Sequence, residues 1–230
     1  MSFSNVFGGI ERALSHPGYR LLWWSNGINT IGRWIFKVSM GWITWELTGS
    51  TAWLGIVAFA DTFPMVIMTI LAGVWADRIG YLRLMKYSQL VLVVGGFVTA
   101  ILALVGALNV ELIIILCVIV GSAEAMTIPA RMSFVHSLVP RSDLSAAIAL
   151  NSTTYNVARF LGPAIFGLLI QFISLSFILL ISAMMFLVFY IALFFHKNDE
   201  LVNSRDNKNR VLSDLMDRCR YAFSISGIFY

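Results

Sequence analysis

The chain has 230 residues, of which 59% are hydrophobic and 12% are charged, and its net charge is +4. Soluble globular domains are usually about 45–50% apolar and about 25% charged, so this composition excludes an ordinary soluble domain. The mean hydropathy of +0.82 and the long apolar runs indicate a membrane protein. The basic residues lie in short segments beside these runs rather than along one face, which argues against a nucleic-acid partner.

Six apolar stretches are long enough to cross a bilayer as helices. In chain order they are Leu21–Leu47, Trp53–Ala76, Leu84–Leu108, Leu112–Ser137, Leu144–Gln171 and Leu175–Phe195. The first stretch is interrupted by polar residues such as Asn26 and Arg33, so it is not the short apolar core of a cleavable signal peptide. The sequence therefore predicts an all-α membrane protein with a six-helix bundle in residues 21–195 and an N-terminal segment in residues 1–20.

The basic residues are distributed asymmetrically about these spans. One side carries Arg12, Arg20, Arg78, Arg83, Lys86, Arg141, Lys197, Arg205, Lys208 and Arg210. The connections on the other side, Thr48–Ala52, Asn109–Glu111 and Phe172–Ser174, contain no Lys or Arg. An excess of Lys and Arg marks the cytoplasmic side of a membrane protein, so we expect both termini in the cytoplasm.

Charged residues occur inside the predicted spans as well as between them. Arg33, Lys37, Asp61, Glu124 and Arg159 lie about 12–18 Å from the outer ends of their helices, counted at the rise of an α-helix. Charges at this depth are costly and usually mark a transport pathway or an ion pair. One hypothesis is a central polar cavity, in which the cations bind an anionic substrate and a carboxylate carries a coupling proton.

The alternative hypothesis is structural. Lys37 and Asp61, and Arg33 and Glu124, could neutralise each other as ion pairs. This pairing leaves Arg159 without a partner, which makes Arg159 the candidate for contact with substrate. Arg131 lies nearer the cytoplasmic surface, where we expect its long side chain to reach the interface.

The sequence does not predict an enzyme. No cluster of His and Cys has metal-ligand spacing, and no Gly-rich phosphate-binding loop is present, so neither a metal nor another cofactor is expected. Without a nucleotide-binding loop, an ion gradient is the expected source of energy for any transport.

The connection between the second and third predicted spans is short and charged. It runs from Gly73 to Gly80, and Arg83 follows closely. This stretch resembles the loop between helices 2 and 3 of the major facilitator superfamily of transporters. Gly73, Ala76, Asp77, Arg78 and Gly80 match the pattern of that family. Tyr81 and Leu82 stand where the family has two basic residues, and Arg83 takes the place of part of that pair.

Two further elements support the resemblance. Gly162 and Pro163, followed by Gly167, are similar to the Gly-Pro element in helix 5 of the family's antiporters. The segment from Asp143 to Arg159 resembles the branch that contains enterobactin exporters and macrolide-efflux proteins. The resemblance covers residues 10–220.

The resemblance implies a fold and a function. The fold is the N-terminal half of a major facilitator protein, six helices arranged as a 3+3 inverted repeat. The function is secondary active efflux by alternating access, in which protons drive export of a small organic molecule such as a siderophore or drug. The implied gating loop contains Gly73, Asp77, Arg78, Gly80 and Arg83. The implied hinge of helix 5 contains Gly162, Pro163 and Gly167.

The resemblance also implies partners and a location. The chain ends at Tyr230, about half the expected length, so we expect residues 196–230 to form a cytoplasmic linker and the truncated start of a second half. A second six-helix half would be either a missing C-terminal half or a second copy of this chain. The expected location is the bacterial inner membrane, and the other partners are lipid, protons and the small-molecule substrate. The alternative is a non-transporting six-helix membrane protein that assembles with or regulates a partner.

Overall fold

The apolar runs of the sequence form helices, and no other regular element occurs in the described residues. The computed structural model describes residues 3–196, apart from the side chains of residues 3–8, Ile70, Val74 and Asp77. The helices are α1 (Phe3–Ser15), α2 (Pro17–Thr48), α3 (Thr51–Thr62), α4 (Pro64–Ile79), α5 (Tyr81–Leu104), α6 (Val110–Leu138), α7 (Leu144–Leu169) and α8 (Leu175–Ala192). A 3₁₀ turn, Leu193–Phe195, follows α8. The predicted linker and start of a second half, residues 197–230, lie outside the described residues.

Each predicted span coincides with a helix or with a pair of helices. Four segments combine the length and hydropathy needed to cross a membrane: Thr51–Thr69, Tyr81–Leu104, Val110–Leu138 and Leu175–Phe195. The helices α2 and α7, which are the first and fifth predicted spans, have 32 and 26 residues. They do not reach the same hydropathy because both carry charged and amide side chains. The described residues thus confirm an all-helical chain with four segments long and apolar enough to cross a membrane, and six crossings stay a prediction.

The second predicted span is divided, which the sequence analysis did not predict. α3 ends at Thr62 and α4 begins at Pro64, with Phe63 still in a helical conformation. The N–H of Phe63 donates to the carbonyl of Phe59 at 2.7 Å. Pro64 has no N–H to donate to the next carbonyl, so the hydrogen-bond ladder is interrupted there. The break places Asp61 in the last turn of α3.

The N-terminal segment contains a helix that the sequence analysis also missed. α1 packs against α7, and Ala13 of α1 and Ala147 of α7 are fully buried in the same apolar cluster. The Arg12 Nε donates to Oδ1 of Asp143 at 3.2 Å, and the His16 Nε2 lies 3.4 Å from Oδ2 of the same carboxylate. Asp143 lies directly before α7, so this cluster fixes α1 at the beginning of that helix.

The helices pack in a pattern that leaves an apolar exterior. α8 packs against both α2 and α5, α6 packs against α5, α3 and α4, and α7 packs against α2. Phe36 of α2 and Phe186 of α8 are fully buried between these helices, with ring centroids 6.0 Å apart. Large apolar side chains such as Phe160 and Phe172 are exposed on the outside, as expected for a surface in contact with lipid.

The connection between α4 and α5 consists of one residue, Gly80. Its φ of 89° lies in a region that residues other than glycine rarely adopt. Its N–H donates to the carbonyl of Ala76 at 2.8 Å. The glycine of the short loop is therefore required by the backbone geometry of this turn.

Candidate functional site

A cleft of about 170 Å³ lies between α2, α3, the start of α4, α6 and α7 and contains most of the predicted charges. It is lined by Thr30, Arg33, Trp34, Lys37, Asp61, Thr62, Met65, Gly121, Glu124, Ala125, Ile128 and Tyr155. The lining therefore combines polar and apolar side chains.

One carboxylate in the cleft holds two cations. Oδ1 of Asp61 accepts a hydrogen bond from Nη2 of Arg33, and Oδ2 of Asp61 lies 3.2 Å from Nζ of Lys37. The side chains of Asp61 and Arg33 are 7% and 11% exposed, whereas that of Lys37 is 40% exposed. Arg33 and Lys37 are four residues apart on α2, so both point to the same side of that helix.

A glycine allows α3 to come this close to the rest of the site. At Gly121 of α6, a Cβ atom would overlap with the backbone carbonyl of Asp61. The close approach holds the carboxylate of Asp61 over α2. Gly121 and the break at Pro64 position the acidic residue together.

Glu124 lies one turn after Gly121 and faces the same cleft. It forms no hydrogen bond or ion pair with the described residues, and its Oε2 atom is buried. Two nitrogens of Arg33, Nε and Nη1, are also buried and donate to none of the described residues. The cleft thus contains an acceptor and donors that are not used within the described chain, which are groups that a bound molecule can contact.

The geometry combines features of both hypotheses for the charges. The contact between Lys37 and Asp61 is present, as the structural alternative proposed. Arg33 contacts Asp61 instead of Glu124. The reason is the position of α3, which brings the shorter acidic side chain directly against Arg33 and Lys37 of α2.

Arg159 does not line the cleft. Its side chain is exposed, and its Cζ lies 5.6 Å from the ring centroid of Trp34. The Nζ of Lys37 lies 5.8 Å from the same ring, and Tyr155 packs edge-on against it at 5.9 Å. Trp34 therefore connects two cations from α2 and α7.

The sequence analysis did not single out Trp34, Tyr155 or Gly121. Trp34 follows Arg33 directly, and Tyr155 lies one helical turn before Arg159, so proximity to a predicted charge was the available signal. Nothing in the sequence indicated that Gly121, the one glycine of α6, would contact α3.

Arg131 differs from its expected position. It is 9% exposed, and its Nη1 donates to Oδ1 of Asn26 at 2.6 Å, so the side chain points into the bundle rather than towards the interface. A buried amide provides the nearby oxygen that a cation at this depth needs. Asn29 has a comparable structural role, because its Oδ1 accepts a hydrogen bond from Gln89 of α5 at 2.8 Å.

The residues of the predicted gating loop lie away from the cleft. Gly80 forms the turn described above, and the side chains of Arg78 and Arg83 are exposed without an ion pair in the described part of the chain. A Cβ atom at Gly73 would contact nothing within 4 Å. The side chain of Asp77 lies outside the described residues.

The predicted hinge residues of α7 differ from one another in their contacts. Gly162 lies against α2, where a Cβ atom would overlap with Trp34. Pro163 is inside the helix and removes one of its hydrogen bonds. A Cβ atom at Gly167 would contact nothing within 4 Å. Gly162 is therefore the residue of the three that permits close packing of α7 on the helix that carries Arg33.

Comparison with known proteins identifies a family and several relatives. A family model described as transmembrane secretion effector matches residues 12–228. The staphyloferrin A transporter of Staphylococcus aureus is 28% identical over 145 residues, which cover 61% of this chain and 36% of that protein. The multidrug efflux pump Tap of Mycolicibacterium fortuitum is 28% identical over 145 residues, which cover 60% of this chain and 35% of the pump.

A third relative matches more of the chain at lower identity. YfiS of Bacillus subtilis, an uncharacterised MFS-type transporter, is 20% identical over 211 residues, which cover 90% of this chain and 49% of that protein. The chain spans about half the length of these relatives.

Proposed function

Since the chain belongs to the transmembrane secretion effector family of major facilitator superfamily transporters, we propose that it exports a small organic molecule from the cell in exchange for protons. The family match over residues 12–228 confirms the resemblance recognised in the sequence. It also confirms that the chain is not an enzyme, because the family and its relatives are transporters. The direction of transport and the coupling to protons are our proposal.

The observation that carries the proposal is the charged cleft. Charged side chains within membrane-spanning helices are costly, and they usually line a substrate or ion pathway. Here one carboxylate, Asp61, contacts two cations and leaves one positive charge in excess, while Glu124 and part of Arg33 have no partner among the described residues. This arrangement supports binding of a molecule that is moved through the cleft, more than a purely structural role.

The relatives indicate which substrates to test first. The name of one relative refers to staphyloferrin A, and that of another refers to efflux of many drugs. We propose that the substrate is of one of these kinds, a siderophore or a drug. The cations Arg33 and Lys37 favour a substrate with an anionic group, and the ring of Trp34 provides an apolar contact beside them.

We further propose that the complete transporter contains a second six-helix half. In transporters of this kind, the substrate site forms at the interface of two halves that rock against each other. The second half is either a C-terminal half or a second copy of this chain. The cleft then becomes one side of a site that opens alternately to the two sides of the membrane.

The helix contacts support a 3+3 inverted repeat within this half. The first three spans are α2, α3 with α4, and α5, and the last three are α6, α7 and α8. The repeat relates α2 to α6, the α3–α4 pair to α7, and α5 to α8. The contact of α2 with α8 then corresponds to that of α6 with α5. The contact of α2 with α7 corresponds to that of α6 with α3 and α4. The contact between α5 and α8 corresponds to itself.

The proposed location is the inner membrane of a bacterium, with both termini in the cytoplasm. The support is the asymmetric distribution of Lys and Arg in the sequence. In this orientation, the Gly80 turn and the Asp143 cluster both lie on the cytoplasmic side.

Vesicle transport tests the proposed function directly. The chain, alone and together with a second six-helix half from a relative, is reconstituted into vesicles, and a proton gradient is imposed. We expect movement of staphyloferrin A or of a drug such as a macrolide, and loss of that movement when the gradient is dissipated. If none of the compounds moves in either preparation, and a full-length transporter instead co-purifies with the chain, the regulatory alternative replaces this proposal.

A further inference from the structure

The two carboxylates of the cleft have different surroundings. Both oxygens of Asp61 are occupied, each by a different cation of α2. A proton added to Asp61 would displace one of these contacts and leave a cation without a counter-charge in a buried site, which is strongly unfavourable. Asp61 is therefore a fixed counter-ion.

Glu124, in contrast to Asp61, forms no ion pair with the described residues. Its Oε2 atom is buried in the same cleft and has no hydrogen-bond partner in the described residues. Adding a proton there breaks no hydrogen bond or ion pair among the described residues, and it removes a negative charge that faces Arg33 and Arg131. We propose that Glu124, and not Asp61, is the carboxyl group that takes up and releases the transported proton. Its part in export rests on the proposed function, but its protonation does not.

The groups around Glu124 determine the effect of the proton. They are Arg33 and Lys37 from α2, Asp61 from α3, Arg131 from α6 itself and Tyr155 from α7. With both carboxylates ionised, these groups and Glu124 together have a net charge of +1, because Arg131 is a third cation. A proton on Glu124 raises this charge to +2, so protonation strengthens the attraction of the cleft for an anion and weakens it for a cation.

Exchange of a substrate for protons requires that the cleft does not hold the substrate and the proton at the same time. A substrate that binds through an anion alone would bind best when Glu124 is protonated, and the two would then move together. A substrate that also donates a hydrogen bond to Oε2, from an ammonium or hydroxyl group, competes with the proton for the same atom. The substrate class for exchange therefore contains a donor for Glu124 close to an acceptor for the unused N–H groups of Arg33.

Carbodiimide labelling tests the protonation without any transport. A protonated carboxyl adds across the C=N bond of dicyclohexylcarbodiimide and rearranges to a stable N-acylurea, whereas an ionised carboxylate without a proton does not react. The full chain in lipid vesicles is labelled over a series of pH values, and peptide mass spectrometry locates the adduct. We expect label on Glu124 that increases as the pH falls, no label on Asp61, and no adduct at position 124 in Glu124→Gln.

The matched control is Glu111, an exposed carboxyl in the first turn of α6. Its labelling shows that the reagent reaches the protein. Label on Asp61, or an unlabelled Glu124 when Glu111 reacts, overturns the proposal. This result does not depend on knowing the substrate.

Transport measurements then separate the proton site from the function as a whole. When the wild-type preparation exports a compound, we expect Glu124→Gln to lose export driven by a proton gradient. Exchange of labelled for unlabelled compound should persist with weaker binding, because the amide oxygen of Gln still accepts a hydrogen bond but has no charge. Glu111→Gln should retain both activities. Gradient-driven export by Glu124→Gln contradicts the assignment of Glu124 and leaves the exporter proposal intact. No export by the wild type contradicts the exporter proposal, and the labelling still decides whether Glu124 takes up a proton.

Discussion

At the scale of single residues, Asp61 is the central group of the charge cluster. It is the one acidic side chain in contact with both Arg33 and Lys37 among the described residues. Removing one partner of a buried ion pair leaves an uncompensated charge and costs about 3–5 kcal/mol. We therefore expect Asp61→Asn to lower the free energy of unfolding in mixed micelles by about this amount.

The control for this prediction is Lys37→Met. The side chain of Lys37 is 40% exposed, so its ion pair is partly solvated and its loss should cost less than about 1 kcal/mol. The double variant Asp61→Asn with Arg33→Met should regain much of the stability, because neither partner is then left alone in the bundle. Equal losses for Asp61→Asn and Lys37→Met would contradict this account of the cluster.

The sequence indicated which residues meet but not how they pair. Helix rise places the five predicted charges at a similar depth, because depth depends only on the count of residues from a helix end. Pairing depends on the distance between helices, and the contact of Gly121 with α3 determines that distance here. The outward position of Arg159 likewise depends on the rotation of α7 about its axis, which depth alone does not specify.

At the scale of elements, the contact between α1 and α7 should depend on pH. Burial by itself would raise the pKa of the Asp143 carboxyl, but hydrogen bonds and charge from Arg12 and His16 outweigh it and hold the pKa below its ordinary value. A carboxyl with a lowered pKa in the folded state contributes stability above its ordinary pKa of about 3.9. That contribution is lost as the pH falls through the lower, folded value.

Nitroxide labels on α1 and α7 measure this dependence. The labels are placed at the exposed positions Glu11 and Ser145 by cysteine substitution, with Cys117 and Cys219 replaced by serine. We expect one narrow distance distribution at neutral pH and a broader, longer one as the pH falls below about 3.9. Asp143→Asn should give the broad distribution at every pH. A narrow distribution in that variant means that the apolar contact of Ala13 alone fixes α1.

Among the elements, those with long apolar runs were predictable and two features were not. The short helix α1 has 13 residues of mixed apolar and polar character, too few to cross a bilayer, so the length and hydropathy that identified the spans did not apply to it. The break at Pro64 lies inside a run whose apolar character continues on both sides. Proline interrupts the hydrogen bonds of a helix without changing hydropathy, which explains why the run was predicted as one helix.

At the scale of the whole molecule, the orientation in the membrane can be measured. The basic side of the sequence predicts that Arg141, between α6 and α7, faces the cytoplasm and that Ala107, between α5 and α6, faces outwards. Both positions are exposed. In a variant without Cys117 and Cys219, we expect an impermeant maleimide to label Ala107→Cys in intact cells and Arg141→Cys only in inverted vesicles. The reverse pattern would show that the termini are outside.

Hydropathy and family resemblance predicted the parts of the architecture that depend on long apolar runs and on short motifs. Four apolar helices and the family are confirmed. Hydropathy does not identify α2 and α7 as spans, because the polar side chains that they contribute to the site lower their hydropathy. The same residues that indicate a function therefore make these two spans harder to establish.

The segment α4 has a mechanical consequence that follows from its two ends. It is 16 residues long, about 24 Å, with the break at Pro64 at one end and the single residue Gly80 at the other. A straight rod of that length that rotates by about 10° at its first end displaces its second end by about 4 Å. Asp61 lies three residues before Pro64. A small rotation of α4 at Pro64 would move the Gly80 end of the helix by more than the length of a hydrogen bond. Such a rotation would therefore carry a change beside Asp61 to the Gly80 turn.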